Sequence, residues 1–446
     1  MNIFKAIAGT AAALIMIAAS GCCKNQDEPV NYMNRSVLLF YECGFNNLGD
    51  FLEGNMDNQD NGLKGGYIPG VNDDVLLVYS KIPKSYYDPS RRLMPKPVES
   101  HLRRIYKNKK GKIISDTLKT FDPSVMAADP STIREVLGFV KDNFPAKGYG
   151  MVFSSHGSGW LPAGYYYNPG RFESEHGKDI NGKVSCASMQ EVTQPRLSVP
   201  EGSLAEIDPF YGKVRSIGQD YIHDQYFAQE MSVSEFADAI PYHLDYILFD
   251  MCFTAGVEVV YGLKDKADYL GLSPAEVLGD GMFDYTKITS FLIGRTTPDL
   301  KGLFEDSFEM YNKKSGSERS STVNIVRTEE VEDLAAVCKR LVNEYSEAIA
   351  NAPTDDIQGY FRSGRHYFYD LADIFKKCGA SESDLKDLDN AINNCVIYKN
   401  ATQRLLGLID IETYSGFSMY LPCAGTPLLD SYYKKEAWND AVGLVK

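Results

Sequence analysis

The chain has 446 residues, 44% of them hydrophobic, so it can bury a large core as one elaborated domain or as several domains. A formal net charge of −14 and an isoelectric point near 5.0 argue against nucleic acid or an anionic membrane surface as the main partner. The cysteines include no Cys-x-x-Cys pair, which removes support for zinc-ribbon and thioredoxin-like interpretations.

Residues 1–21 have the pattern of an export signal. Lys5 supplies the positive start, residues 6–19 are an apolar run too short to span a bilayer, and small residues precede Cys22. The segment resembles a bacterial lipoprotein signal, although Ala19 stands where a larger aliphatic residue is usual. The resemblance implies lipidation of Cys22, a tether over residues 22–35, and an exported protein anchored to a bacterial membrane at the outer-membrane, periplasmic or cell-surface face. An ordinary secreted protein cleaved nearby is the alternative.

The next segments predict strands and helices in alternation. Two continuous apolar runs, residues 36–41 and 74–79, are typical of strands covered on both faces, which predicts a mainly parallel sheet. A charged hairpin with a glycine turn is predicted over residues 101–114, where charge protects a sheet edge. Helical spacing over residues 133–144 follows the start signal Asp129-Pro130-Ser131.

Two predicted strands end in residues that carry chemistry. The strand at residues 150–155 is followed by His156-Gly157. The strand that begins at residue 246 ends in Asp250-Met251-Cys252. A helix precedes this second strand and begins with a capping box at Ser232-Val-Ser-Glu235. Residues two apart on a strand share a face, so Asp250 and Cys252 are expected to point the same way. If the strands are neighbours, they bring together a thiol nucleophile, an imidazole base and a possible oxyanion site.

Beyond Cys252 the pattern is mixed. A helix over residues 256–263, a strand over 267–273 and a loop over 276–285 are followed by helical patterns and a late strand at 416–421. A domain boundary near residue 310 is possible. The late strand could instead return to the main sheet and make the chain one unit.

In combination these motifs resemble the clostripain-type cysteine peptidases (family C11) within the caspase-like group. The resemblance spans roughly residues 36–421 and rests on apolar strands followed by His-Gly and Asp-x-Cys. Further matches are Asn46-Asn47-Leu48, Ser155 to Trp160, Phe249 to Cys252, Glu258, Tyr261 and Ala267-Asp-Tyr-Leu270.

The resemblance implies a caspase-like α/β/α sandwich with a mainly parallel central sheet. With the boundary near residue 310, the expected peptidase core is residues 36–310, and residues 311–446 form a helical C-terminal part with a late strand, packed on that core. The resemblance also implies cleavage of peptides or proteins after Arg or Lys through a thioester acyl-enzyme. His156 matches the general base, Cys252 the nucleophile, and the amides of Gly157 and Cys252 the oxyanion donors.

Asp250 matches the acidic residue beneath the substrate's basic side chain. A carboxylate beside a thiol disfavours the thiolate, so Asp250 also makes better physical sense as a ligand for a substrate cation. The family's following loop usually carries Pro-Gly and an aromatic residue, and this chain departs from that pattern. Asp280 is therefore chosen over Asp284 as the second acidic position. Glu258 is expected to satisfy a backbone group near the site, and Trp160 to form a wall of the site.

Residues 161–218 form a long stretch without periodicity, rich in Gly, Pro, Ser and Tyr. Because a loop beside its own nucleophile has a high effective concentration, this stretch is a candidate activation segment cut in cis. The candidate cleavage positions are Arg171, Lys178, Lys183 and Arg196. A passive surface insertion is the alternative.

No cofactor is expected to be required and no metal site is predicted; calcium enters only through the resemblance, since no segment resembles an EF-hand. Two other classes of function stay open. One is a catalytically inactive caspase-like surface lipoprotein that acts as a binding module. The other, weaker, is a metal-dependent hydrolase, whose ligand clusters the sequence lacks.

Overall fold

The computed structural model describes residues 35–46, 48–57, 73–83, 96–162, 165, 169–176, 217–221, 228–361 and 367–446. The predicted export signal, Cys22, Lys178, Lys183 and Arg196 lie outside these described residues. The first half contains β1 (Ser36–Cys43), α1 (Gly49–Asp57), β2 (Val75–Lys81), β3 (Ser100–Lys107), β4 (Ile113–Phe121), α2 (Pro130–Asn143), β5 (Gly148–Ser154), α3 (Pro169–His176), β6 (Ile217–Tyr221) and β7 (Ala228–Met231).

The chain continues with α4 (Val233–Ala239), β8 (Leu244–Asp250), α5 (Val257–Leu263), β9 (Ala267–Leu272), α6 (Ile288–Leu292), α7 (Leu300–Asn312), β10 (Thr322–Arg327), α8 (Val331–Glu344) and α9 (Ser346–Ala350). It ends with β11 (Tyr369–Asp370), α10 (Leu371–Lys377), α11 (Glu382–Cys395), β12 (Val396–Ala401), β13 (Arg404–Leu405), β14 (Ile409–Asp410), β15 (Ser418–Met419), α12 (Pro427–Tyr433) and α13 (Ala437–Val442).

A nine-stranded sheet organises the fold, in the order β12-β10-β9-β8-β5-β1-β2-β3-β4. The five central strands, from β9 to β2, run parallel, and the strands at both edges pair antiparallel. The central strands are almost wholly buried, as expected for apolar strands covered on both faces. The predicted mainly parallel central sheet is confirmed.

Two hydrophobic clusters lie on opposite faces of this sheet. Along β1, Leu39 packs into the cluster that contains Val136 of α2, whereas its neighbour Leu38 packs into the cluster that contains Phe304 of α7. This alternation follows from the two-residue period of a strand. Helices therefore cover both faces, which confirms the predicted α/β/α sandwich.

Local sequence signals account for the elements around the sheet. Gly111 turns the β3–β4 hairpin at a φ of 76°, where a residue with a side chain would be strained. Asp129 caps α2 by accepting a hydrogen bond from the Ser131 amide. The capping box between Ser232 and Glu235 begins α4. All three features were expected from the sequence.

The C-terminal part shares the main sheet. The possible boundary at residue 310 falls inside α7, and β10 and β12 beyond it extend the nine-stranded sheet. The late strand is shorter than predicted: β15 pairs with β11 in a separate two-stranded sheet. The Ser418 amide also donates to the Ala255 carbonyl at 3.0 Å, so this segment lies beside the turn that follows Cys252.

The cysteines within the described residues are free thiols. Across the part of the chain that the structure describes, no helix is both long and apolar enough to cross a membrane.

Candidate active site

The ends of β5 and β8 form the candidate site. These neighbouring parallel strands pair with Ser154 opposite Asp250, and His156 and Cys252 each follow two residues later. Because the register is shared, both residues leave the same edge of the sheet at the same level. This is the carboxyl edge, where open α/β sheets form their sites.

Two glycines bring the His156 loop against the Cys252 turn. A side chain at Gly157 would place its Cβ 2.7 Å from the carbonyl oxygen of Cys252, and one at Gly159 would come equally close to the carbonyl oxygen of Phe253. Real Cβ atoms do not approach backbone atoms so closely, so this His-Gly-Ser-Gly sequence lets two backbones touch. The expected proximity of the two loops is observed.

The turn that follows Cys252 contains a strained residue. Phe253, the next residue, has a φ of 55°, which is unusual for a bulky residue. Its ring stacks on Phe368 with centroids 4.5 Å apart, and its amide donates to Ala275 at 3.0 Å. The half-buried Cys252 Sγ accepts a hydrogen bond from the Val277 amide at 3.3 Å. The thiol is thereby held at the start of the 276–285 loop.

Asp250 is tied to the same loop. Its carboxylate accepts hydrogen bonds from the Met282 amide at 2.6 Å and the Tyr285 hydroxyl at 2.7 Å. The side chain is only 6% exposed, and burial raises its pKa against the opposing effect of these two donors. Gly281, at a φ of 91°, passes so close that a Cβ there would lie 2.6 Å from Asp250 Oδ2.

Asp250 belongs to a row of polar side chains across the sheet edge. Glu42, Ser154 and Asp250 are in register on three adjacent strands and share the face covered by α6 and α7. Tyr285 joins the row, with its hydroxyl 3.2 Å from Ser154 Oγ. Glu42 is fully buried, and burial followed by the charge of Asp250 raises its pKa well above the usual range. Of this row, Asp250 is the carboxyl group bound to the same 276–285 loop as the Cys252 thiol.

The comparison with known protein families decides the classification. A model of the clostripain family of C11 peptidases matches residues 40–172 and 203–426 of this chain, most of its length. The chain belongs to the clostripain family. A search of curated proteins finds no match.

Solved structures of C11 proteases share the fold. An inactive zymogen C11 protease from Parabacteroides distasonis is 22% identical with a TM-score of 0.68, over 92% of this chain and 98% of that one. A secreted C11 cysteine protease from Bacteroides thetaiotaomicron, in complex with an irreversible peptide inhibitor, is 22% identical with a TM-score of 0.66, over 92% and 99%. The family's caspase-like α/β/α architecture is therefore the fold of this chain.

Asp280, the predicted second acidic residue of this family member, lies at the surface. Its side chain is 66% exposed and forms an ion pair with Lys314 at 3.6 Å. Asp284 is engaged locally, because it accepts from Thr286 and pairs with Lys287 at 2.8 Å. Asp280 remains the more available of the two, next to the glycine that touches Asp250.

Glu258 and Trp160 lie away from the cleft, in the interior. Glu258 accepts hydrogen bonds from the Tyr420 amide at 3.0 Å and the Tyr433 hydroxyl at 2.7 Å, as expected for a residue that satisfies a backbone group. Trp160 is 3% exposed and packs on the same two tyrosine rings. The prediction that Trp160 forms a wall of the site is therefore wrong; the indole joins the sheet to the C-terminal segment instead.

The sequence singles out Asn46 and Ser155 as family matches, but it does not predict their contacts with Gln219 around His156. Asn46 donates from its side chain to the Cys43 carbonyl at 3.0 Å and to the Gln219 carbonyl at 2.8 Å. Ser155, directly before His156, accepts from the Gln219 amide at 3.0 Å. Gln219 belongs to β6, a short strand with no periodicity to reveal it.

Within the described residues, no group of three or more His, Cys, Asp or Glu side chains is arranged to hold a metal ion.

Proposed function

We propose that this clostripain-family protein is a cysteine endopeptidase that cleaves peptides and proteins after Arg or Lys through a His156–Cys252 dyad. The observation that carries the proposal is the shared register of β5 and β8, with both residues two positions beyond the paired Ser154 and Asp250. Family membership supports the peptidase chemistry.

In the first half-reaction His156 takes the proton of the Cys252 thiol, and the thiolate attacks the scissile carbonyl carbon. The backbone amides of Gly157 and Cys252 donate hydrogen bonds to the oxyanion that forms. When the tetrahedral intermediate collapses, the carbon–nitrogen bond breaks and His156 protonates the leaving amine. The product is a thioester between the acyl group and Cys252.

In the second half-reaction His156 takes a proton from a water molecule, which attacks the thioester carbonyl. The carbon–sulfur bond then breaks, the acid product leaves, and the thiol is restored. A fixed imidazole serves both steps, so its position relative to Cys252 determines the rate.

Selectivity for basic residues is assigned to Asp250. The hydrogen bonds from Met282 and Tyr285 oppose the rise in the Asp250 pKa that burial causes, and the carboxylate gains most from a guanidinium or ammonium group that excludes water. A bound cation would also cancel the penalty that Asp250 imposes on the Cys252 thiolate, so substrate binding and nucleophile activation would be coupled. Asp280 is proposed as a weaker, outer acidic group.

Self-cleavage within residues 161–218 is proposed as the route to activity, consistent with one structural relative being described as an inactive zymogen. Arg171 is the least favourable of the four candidate positions, because it lies in α3 and a peptidase binds extended backbone. Lys178, Lys183 and Arg196 remain the preferred candidates. Wild-type protein should split into two associated chains while Cys252→Ala stays whole, which mass spectrometry of both proteins tests.

Export and anchoring through a lipid on Cys22 are also proposed from the signal-like N-terminus; one structural relative is described as secreted. Metabolic labelling with a radioactive fatty acid should mark the wild-type protein and leave Cys22→Ser unlabelled. Equal labelling of the two proteins would contradict lipidation at Cys22.

The decisive experiment uses an Arg chloromethylketone on the mature protein. Mass spectrometry should find alkylation at Cys252, faster than by the equivalent Leu reagent and absent in His156→Ala at neutral pH. Asp280→Asn is the matched control for loss of a nearby carboxylate. If the protein is an inactive binding module, neither chloromethylketone will modify Cys252. If the Arg and Leu reagents label Cys252 equally fast, the proposed preference for basic residues is contradicted.

A further inference from the structure

Strand β6 lies across the edge of the sheet from which His156 emerges. The Gly218 amide donates to the His156 carbonyl at 3.2 Å, and Ile217 pairs antiparallel with Gly157. The backbone of the proposed general base is therefore bound directly by this strand. Because β6 is only Ile217–Tyr221, main-chain contacts alone give it little rigidity.

Side chains extend this contact to the residue before His156. The Ser155 hydroxyl donates to the Cys43 carbonyl at 2.8 Å and accepts from the Gln219 amide, and Asn46 bridges the Cys43 and Gln219 carbonyls. These groups are buried, so each bond replaces one that water would otherwise make. The start of the His156 loop is thus fixed between β1 and β6.

A buried ion pair anchors β6 to the sheet. Asp220 of β6 lies 3.1 Å from the Lys81 ammonium at the end of β2, and their side chains are 0% and 1% exposed. Lys81 also donates to the Val125 carbonyl at 2.7 Å, and Asp220 accepts from the Ala127 amide. No other ion pair among the described residues is so completely buried on both sides.

A buried ion pair is weak support for stability as such, because removing both charges from water is costly. Its value lies in geometry, since a charge held in the interior has few positions in which it is satisfied. Asp220 and Lys81 therefore specify where β6 sits, and β6 holds the backbone on both sides of His156.

We propose that Asp220, through its ion pair with Lys81, is a positioning residue for the catalytic histidine. The proposal rests on the proposed function of His156. It requires no contact between Asp220 and substrate: the carboxylate fixes β6, and β6 fixes the His156 carbonyl and the Gly157 backbone. A displacement of the imidazole by about 1 Å is enough to lower the rate roughly 10²-fold.

The test compares Asp220→Asn, Lys81→Met and the double variant Lys81→Met/Asp220→Asn. Each single change leaves a buried charge or polar group without its partner, so it lowers both stability and kcat. The double variant has no uncompensated charge, and the amide oxygen introduced by Asp220→Asn can still accept from Ala127, so it is more stable than either single variant. Its kcat on Arg peptides stays at least roughly tenfold below wild type with KM nearly unchanged, because the anchor is gone.

A second readout follows the imidazole itself. The pH profile of Cys252 alkylation by iodoacetamide reports the coupling between thiol and imidazole, and it should shift in the double variant. Arg340→Ala is the control, since it breaks the remote ion pairs with Asp384 and Asp387. It lowers stability while leaving kcat and the alkylation profile of the folded enzyme unchanged.

The proposal is overturned if the double variant recovers stability and also shows the wild-type kcat and the wild-type pH profile of Cys252 alkylation. The ion pair would then have a purely structural role. Cys252→Ala, assayed in parallel, separates this result from failure of the dyad. If Cys252→Ala keeps wild-type activity, the proposed function fails. If it is inactive while the double variant matches wild type, only the positioning role fails.

Discussion

Two buried carboxyl groups flank Cys252 in the sequence, and they occupy opposite surroundings. Asp250 faces the 276–285 loop, in a row of polar groups that includes Glu42. Glu258 is bound by Tyr420 and Tyr433, whose rings pack on Trp160 in the interior. Each accepts one amide and one tyrosine hydroxyl hydrogen bond, and each has a raised pKa from burial.

Burial, the number of hydrogen bonds and the direction of the pKa shift therefore do not separate Asp250, the proposed specificity residue, from Glu258. The distinguishing feature is which loop the carboxylate shares. Asp250 and the Cys252 thiol bind the same 276–285 loop, whereas Glu258 binds the C-terminal segment. We expect changes at Asp250 to alter substrate choice and changes at Glu258 to alter stability.

The largest effect on activity is expected at the proposed His156–Cys252 dyad, since Asp250 and Glu258 are compared by their relation to Cys252. Cys252→Ala and His156→Ala should each lower kcat on Arg or Lys peptides by roughly 10⁴-fold or more, and the double variant should be no worse than either single one, because the two act as a unit. Circular dichroism should show an intact fold. Near-wild-type turnover in either variant would remove the assignment.

Asp250→Asn should lower kcat/KM for peptides with Arg or Lys by about 10²-fold, because it removes the charge that pairs with the substrate cation. Alkylation of Cys252 by neutral iodoacetamide should change far less. Comparable losses in both assays would make Asp250 a structural residue like Glu258.

Glu258→Gln should change the pH dependence of stability. Burial raises the pKa of Glu258 from 4.5 to about 7, so the native state binds more protons than the unfolded state between these values. The contribution of Glu258 to the free energy of unfolding is therefore fully present below pH 4.5. It is lost as the pH rises through about 7, which lowers the free energy of unfolding by about 3 kcal/mol. Glutamine removes this loss and relieves the repulsion with nearby Glu436.

Denaturant unfolding should accordingly find Glu258→Gln more stable than wild type at about pH 8 and similar to it at about pH 5, with kcat/KM little altered. A variant that is less stable than wild type at both values would mean that the ionised carboxylate stabilises the fold.

The smallest effect is expected for Asp280→Asn. An exposed carboxylate that pairs with Lys314 contributes little, because solvent screens it. Peptide kinetics should show a change of less than about threefold in kcat/KM. A loss as large as that of Asp250→Asn would move Asp280 into the substrate pocket.

Local patterns in the sequence predict the central strands and a mainly parallel sheet, but they do not predict that β5 and β8 are neighbours. Alternation and apolar runs identified the central strands, and once β5 and β8 are neighbours their common register brings His156 level with Cys252. The roles proposed for Asp250 and Gly157 come from the resemblance to a known family, because no spacing rule supplies them.

The rest depends on contacts between distant positions. The Lys81–Asp220 pair joins residues 139 positions apart, and neither residue has a local signal for burial. The sequence analysis expects Trp160 to form a wall of the site, but its ring packs on Tyr420 and Tyr433 far along the chain. Such long-range pairing is decided by tertiary packing, which a single sequence does not display.

The strand order of the sheet determines how the protein would refold after a break in the chain. Strands β1 to β5 all lie on one side of the β5–β8 contact, and β8, β9, β10 and β12 lie on the other. A single break between residues 176 and 217 would turn this contact into a boundary between two polypeptides, each with a long unpaired edge once separated. The native form would persist, but recovery after denaturation would become a second-order encounter that competes with aggregation. A broken molecule should then refold in a concentration-dependent manner, whereas the continuous chain should not.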